Sequence, residues 1–154
     1  MNDNTTSEKE LKILIFGLND ELFATDIMDV ERILGYETPT RIPDAPEYVV
    51  GVINHQGTIL PVISLAKKFN LACKPIDEET KIIVAKQKDQ RIGVIVENVS
   101  EVKDIKRSDI EVPPDVVSGT SRRYMNGIIK LDNKIILFLN LSNILTEEEK
   151  KLIK

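Results

Sequence analysis

Tyr48-Val-Val-Gly51-Val-Ile-Asn54-His-Gln-Gly57-Thr-Ile-Leu-Pro-Val-Ile-Ser-Leu65 is the stretch that decides the fold. It reads as two strands, Val49 to Asn54 and Thr58 to Leu65, because branched aliphatic residues favour extended chain and Gln56-Gly57 suits a two-residue hairpin turn. The same grammar returns later, where Tyr124 to Leu131 and Lys134 to Leu141 flank Asp132-Asn133. Tyr48 precedes Gly51 by three residues and Gly51 precedes Leu65 by fourteen, and Tyr124, Gly127 and Leu141 keep both spacings. Between these anchors Val52-Ile53 matches Ile128-Ile129, and Ile59-Leu60 matches Ile135-Ile136. A repeat of this kind points to a duplicated barrel-like unit with a seam between the copies. Chance alignment of aliphatic strand pairs is the alternative.

Each copy is preceded by another hairpin. Lys12 to Leu18 is closed by Asn19-Asp20 and reopened by Leu22-Phe23-Ala24, while Lys81 to Lys86 and Arg91 to Val96 flank Lys88-Asp89-Gln90. After each hairpin the apolar spacing turns helical, at Ile27, Val30, Ile33 and Leu34 and again at Val96, Val99 and Val102. With Asp26 placed as an N-cap, this predicts a short helix after the first hairpin and a similar element after the second. Pro39, Pro43 and Pro46 predict an extended connector, and Pro113-Pro114 with Ser118-Gly119-Thr120-Ser121 a loop. Ala66 to Phe69 suits a helical turn, Ala72 to Thr80 a second connector, and Thr146-Glu-Glu-Glu149 the start of a C-terminal helix over 146–154. The expected organisation is a disordered polar tail over 1–10 and one mainly β domain over 11–145. That domain is made of two subdomains, roughly 11–71 and 80–145, with strand exchange between them allowed for.

Composition narrows the function. The 154 residues carry 21 Lys and Arg against 25 Asp and Glu, a net charge of -4, which argues against a binder of nucleic-acid phosphates. One cysteine, Cys73, excludes an internal disulfide, and one histidine, His55, excludes a multi-histidine or four-cysteine metal site within the chain. No apolar run approaches the roughly 18 to 20 residues of a membrane span, and the polar first ten residues lack a secretory core, so a cytoplasmic location is expected. The Walker pattern and Gly-x-Gly-x-x-Gly are absent. A Cys73–His55 dyad is conceivable chemically, but a connector thiol and a turn histidine are the ordinary reading of both. Lys67-Lys68 and Arg122-Arg123 lack interleaved aromatics and read as solvated loop charges. No catalytic group, cofactor cradle or metal is expected, which leaves a scaffold whose output is binding.

A further set of motifs runs through the chain: Phe16-x-Leu18, Asp26-Ile27-x-x-Val30, the run from Thr40 through Arg41-Ile42-Pro43-Asp44-Ala45-Pro46-Glu47-Tyr48 to Asn54-x-x-Gly57, and Ile59-Leu60-Pro61-Val62-Ile63-x-Leu65. Gly93-Val94-Ile95-Val96-x-x-Val99-x-x-Val102 and Tyr124-x-x-Gly127-x-x-Lys130-Leu131-Asp132 follow. In these residues and in their order the chain resembles the CheW chemotaxis coupling family, and the resemblance covers Lys12 to about Leu145. It implies two SH3-like five-stranded β-barrels packed side by side. It also implies a non-enzymatic adaptor that joins cytoplasmic tips of chemoreceptors to the regulatory domain of the histidine kinase CheA, itself built like CheW. The expected protein is a monomer in isolation, recruited to receptor arrays and touching the membrane only through receptors.

By the same resemblance Val30, Asn54, Gly57, Val99 and Val102 match the receptor groove, with core packing as the alternative for the three valines. The kinase-binding residues are not indicated. Two groove positions depart from the family pattern. Arg32 stands where Glu is common, and Asn54-His55-Gln56-Gly57 where Asn-Leu-Arg-Gly is common. Ser64-Leu65-Ala66 also replaces a usual Asp-Leu-Arg. These departures point to a specialised receptor class, or to a CheW-like module serving a non-motility receptor system. The reading from a different class is a small β-barrel that binds RNA or a small molecule.

Overall fold

The computed structural model describes residues 10–87, 90–112 and 124–145; residues 1–9 of the expected tail, Lys88-Asp89 of the expected turn, the Pro113-Pro114 to Ser121 loop and the expected C-terminal helix lie outside the described residues, while Glu10, expected in the tail, begins the first strand. Among the described residues there are eleven strands: β1 Glu10–Leu18, β2 Glu21–Asp26, β3 Val30–Gly35, β4 Val49–His55, β5 Thr58–Ser64, β6 Lys81–Gln87, β7 Gln90–Val96, β8 Asn98–Lys106, β9 Ile110–Glu111, β10 Met125–Leu131 and β11 Lys134–Leu139. They form a six-stranded sheet in the order β8-β1-β2-β11-β10-β9 and a five-stranded sheet in the order β3-β6-β7-β5-β4.

Each sheet closes by bending one strand until it supplies both edges. In the six-stranded sheet β8 and β9 lie at opposite ends of the order, yet only the 3₁₀ turn Arg107–Asp109 separates them in the chain. In the five-stranded sheet Thr40, beyond the end of β3, exchanges two 2.8 Å backbone hydrogen bonds with Val52 of β4. Both sheets are therefore barrels of the SH3-like kind, with five strand paths each. The chain passes from one to the other only at the 3₁₀ turn Ile27–Asp29 and at Glu97. The five-stranded barrel is thus continuous from Val30 to Val96 and is inserted into the other, which is split around it.

The duplication is visible in the pairing registers. Val49 opposes Ile63 and Gly51 opposes Val62, and in the same way Met125 opposes Leu139 and Gly127 opposes Phe138, with a bulge between the members of each pair. Ser64 donates its amide to the Tyr48 carbonyl and Asn140 to the Tyr124 carbonyl, both at 2.8 Å. The leading hairpins match too, since Ile13 opposes Asp26 and Ile82 opposes Ile95. Each copy's hairpin then joins the other copy's barrel through a parallel pairing, β2 with β11 and β7 with β5.

Gly51 and Gly127 sit where the bent strand crosses over the barrel. A Cβ on Gly51 would lie 2.1 Å from the Thr40 carbonyl oxygen, and one on Gly127 would lie 2.3 Å from Ile110 Cγ2 and 2.9 Å from the Glu111 carbonyl oxygen. Only glycine permits that approach. The hairpin tips turn through left-handed pairs, Asn19-Asp20, Gln56-Gly57 and Asp132-Asn133, with every φ between 51° and 80°.

The predicted helix from Asp26 is not formed beyond one turn. Asp26 does cap, its carboxylate accepting from the Met28 amide at 2.9 Å, but the segment closes as the 3₁₀ turn and continues as β3. Val99 and Val102 likewise lie in β8. The helical spacing has a different cause: a bulge between Val30 and Arg32, matched by a register shift opposite Ser100, adds one residue to each strand. Alternation by two thereby becomes a spacing of three.

Three buried apolar clusters result. One lies inside the split barrel around Ile13, Ile15, Ile129 and Phe138, and one inside the inserted barrel around Ile53, Leu60, Val62 and Ile82. The largest lies between them and takes Leu14, Phe16, Leu18 and Phe23 from one barrel and Ile63, Ile83, Ile92 and Val94 from the other. Strand β1 is therefore buried on both faces, which explains its unbroken apolar run from Ile13 to Phe16. Ser64 caps the four-residue helix α1, Leu65–Lys68, by accepting from the Lys67 amide. Leu65 and its counterpart Leu141, the first residue of the 3₁₀ turn Leu141–Asn143, are both fully buried in the shared cluster.

Candidate functional site

Two of the candidate valines meet at the seam. Val30 opens β3 opposite Ala85, and Val99 lies in β8 opposite Phe16; both are half-buried and pack against the shared cluster. From there β3 and β8 run outward and expose equivalent apolar residues, Ile33 at 40% and Val102 at 51%. Met28, on the turn by which the chain changes barrel, is 73% exposed. Isolated exposed aliphatics are ordinary, but here the same position of both copies is exposed, three residues after a valine that packs on the shared cluster.

The other candidates lie elsewhere on the inserted barrel. Asn54 is exposed on β4 opposite Ile59, and Gln56 and Gly57 form the tip of the β4–β5 hairpin. Gln56 lines a concavity of about 480 Å³ together with Glu31, His55, Thr58, Leu60, Val84, Gln90 and Arg91. Arg32, exposed on β3 opposite Val84, is next in the chain to Glu31, which forms an ion pair with Arg91. The structure thus places Val30 and Val99 on the seam, Val102 on the exposed part of β8 and Gln56 at the mouth of the inserted barrel. Strand β3 links the seam and the mouth through Val30, Glu31 and Arg32.

Electrostatics add one perturbed group. The Asp29 carboxyl, beside Val30, is held above the usual carboxylate range, first by burial and then by the Asp26 carboxylate, while Lys86 opposes the shift. No group of three or more His, Cys, Asp or Glu that could hold a metal ion occurs among the described residues. Cys73 is exposed on the connector that follows α1, and His55 is half-buried at the end of β4, lining the mouth of the inserted barrel.

Further features escaped the sequence reading. Ile59 on β5 and Ile135 on β11 are each 63% exposed and occupy equivalent positions on the two barrels. Their match in the repeat was a usable signal, because two copies that keep an aliphatic residue on the solvent face share a demand that core packing does not explain. The Glu31–Arg91 pair had no such signal, since it joins strands separated by β6.

Comparison with known proteins follows this geometry. Residues 12–149 match the family described as CheW-like domain. The chain is 31% identical over 137 residues to the chemotaxis protein CheW of Bacillus subtilis strain 168, covering 89% of this chain and 88% of that one. It is 31% identical over 142 residues to the chemotaxis protein CheW of Klebsiella aerogenes, covering 92% and 86%. Among solved structures, the scaffolding protein TtCheW of Thermoanaerobacter tengcongensis superposes with a TM-score of 0.81 at 36% identity, over 87% of this chain and 86% of that one.

Proposed function

Since the chain belongs to the CheW-like domain family, whose members are chemotaxis scaffold adaptors and not enzymes, we propose that it couples the cytoplasmic tips of chemoreceptors to the regulatory domain of the histidine kinase CheA. The observation that carries this reading is that Val30 and Val99 pack half-buried on the shared cluster and that each is followed, three residues on, by an exposed aliphatic, Ile33 or Val102. A receptor tip is a helical hairpin, and an amphipathic helix needs a groove with apolar anchors at its floor and solvent at its rim. Val30 and Val99 supply the floor, and the exposed Ile33 and Val102 supply the walls. Arg32 sets the charge beside these residues, and Asn54, Gln56 and Gly57 supply polar contacts at the neighbouring barrel end.

The kinase side is supported by the second pair of exposed aliphatics. Ile59 and Ile135 offer equivalent patches on two equivalent barrels, which suits a partner that is itself a pair of such barrels. An adaptor couples two equilibria only by touching both partners at once, and because Ile59 lines the same concavity as Gln56, the kinase patch borders the polar end of the receptor site. No helix among the described residues is long and apolar enough to cross a membrane, in keeping with a protein that reaches membranes through receptors in a cytoplasmic array.

The test is reconstitution. Purified chain, the kinase and a receptor signalling fragment are mixed, and kinase autophosphorylation is followed with each component omitted in turn. Receptor-dependent stimulation that needs the chain supports the reading, and Val102→Asp, at an exposed position of β8, should abolish retention of the receptor fragment while the protein stays folded. Stimulation that is indifferent to the chain removes the adaptor role.

A further inference from the structure

We infer that the two barrels act as one rigid coupling element, held by a plug at Phe69, so that a partner's displacement reaches the other partner through movement of the whole body. This deepens the adaptor reading and rests on it. Hinged proteins bend where few contacts cross between their parts. Here the largest of the three buried clusters lies between the barrels and takes residues from both. The plug is directional. Phe69 follows α1 on the inserted barrel, and its ring stands between Phe23 and Tyr124 of the split barrel, at 6.4 and 5.7 Å between centroids. Phe23 stacks in turn on Phe16 at 6.0 Å, which carries the contact into the shared core.

The fastening is repeated at separate places. The Lys68 ammonium lies over Tyr48 of the inserted barrel at 4.4 Å and over Tyr124 of the split barrel at 5.2 Å. Gln87, fully buried at the end of β6, donates from Nε2 to the Leu141 carbonyl at 3.0 Å, so the split barrel's own 3₁₀ turn is held by the inserted one. At the second crossing the Glu97 amide donates to the Gly17 carbonyl at 3.0 Å, and Glu97 Oε1 accepts from the Asn19 amide at 3.0 Å. Ties at the plug, at the 3₁₀ turn and at the crossing leave no axis about which the barrels could swing while keeping all of them. A close-packed seam of this kind transmits strain instead of absorbing it.

The experiment places spin labels at Lys86 on the inserted barrel and Lys130 on the split barrel, in a Cys73→Ser background, and measures the distance distribution. The expected result is one narrow distribution, the same for the free protein, with the kinase regulatory domain, with a receptor signalling fragment and with both. A second distance, or a displaced one on binding either partner, overturns the inference. Phe69→Ala should broaden the distribution and lower receptor-dependent kinase stimulation by about fivefold or more, while each partner separately binds within about twofold of its usual affinity. Full coupling with a broadened distribution also overturns it. If Phe69→Ala does not fold, Phe69→Leu, which keeps most of the plug but not the ring stack, serves the same comparison. If neither partner binds the unmodified chain, the adaptor reading fails, while the distances in the free protein still decide whether the barrels are rigid.

Discussion

The inserted and split barrels share one register but not one surface, and the boundary between what they share and what they do not follows the demands of closure. Tyr48 and Tyr124, Gly51 and Gly127, and Leu65 and Leu141 keep equivalent roles because each is caught by backbone that must pass over it or by the common core. Residues released from those demands diverge. The tip Gln56-Gly57 becomes Asp132-Asn133, and α1 with Lys68 and Phe69 becomes a 3₁₀ turn followed by the buried Ile144 and Leu145. The lesson is that duplication preserved the frame and freed the faces, so differences between copies mark where partners and the seam have made separate demands. Ile59 and Ile135 are the exception, alike although both face solvent.

The most severe way to break the comparison is to crowd the two closure points. Gly51→Ala should cost on the order of 4 kcal/mol, because its Cβ would press on backbone at 2.1 Å and neither closing strand can retreat without breaking the Thr40–Val52 bridge. Gly127→Ala should cost less, about 2 to 3 kcal/mol, since the closest atom met is a side-chain carbon of Ile110 and the backbone oxygen of Glu111 lies farther off, at 2.9 Å. Denaturant titration of both variants decides it. Equal losses would mean that the two closures are energetically the same, and a small loss at Gly51 would mean that the bent strand is not held there.

The closure residues were legible in the sequence because they are spaced along a single hairpin, so a local pattern contains them. The β-rich class followed from the Ile and Val content, and the repeat from the equal spacings of Tyr48, Gly51 and Leu65 and of Tyr124, Gly127 and Leu141. The bulged strands were not legible. At Val30 and Val99 one inserted residue gives the periodicity of a helix, and only the strand opposite shows that it is a bulge. The exchange of hairpins between barrels rests on the parallel pairs Val62 with Gly93 and Phe138 with Ala24, which are far apart in the chain and leave no local trace. For the site, residue identities drew attention to Val30, Val99 and Val102. That the first two pack on the seam while Gln56 lines a barrel mouth needed three dimensions.

A gentler test concerns charge at the inserted barrel. On the proposed adaptor reading, with Arg32 and Gln56 standing where the resemblance leads one to expect Glu and Arg, the receptor should offer an acidic or neutral group near Arg32, because like charges across an interface disfavour a partner. Arg32→Glu should weaken binding to that receptor, and Arg32→Glu combined with Gln56→Arg should improve binding to receptors of the common type. The expected size is about 0.2 to 1 kcal/mol for a solvated contact. Titration against both receptor tips at two salt concentrations measures it, and unchanged affinities would place both residues outside the receptor contact.

The smallest effect sharpens the comparison at the crossings themselves. Asp29 ends the first crossing, and Asn98, which follows Glu97 at the second, occupies the corresponding place with a neutral amide. Because burial and Asp26 raise the Asp29 carboxyl above its ordinary value, the folded protein holds this proton more tightly than the unfolded chain does. Folding then binds protons in the window between the unfolded and folded values, so this group's contribution to stability falls as pH rises through that window and remains unfavourable above it. Lys86 limits the penalty without removing it. Asp29→Asn should therefore raise the unfolding midpoint slightly at pH 7, and the gain should shrink as pH falls below the ordinary carboxylate value, where the native side chain is neutral in both states. Thermal melts of the two proteins across that range measure the difference. A gain that persists unchanged at low pH would assign it to packing, and a loss at pH 7 would show that attraction to Lys86 outweighs burial at this crossing.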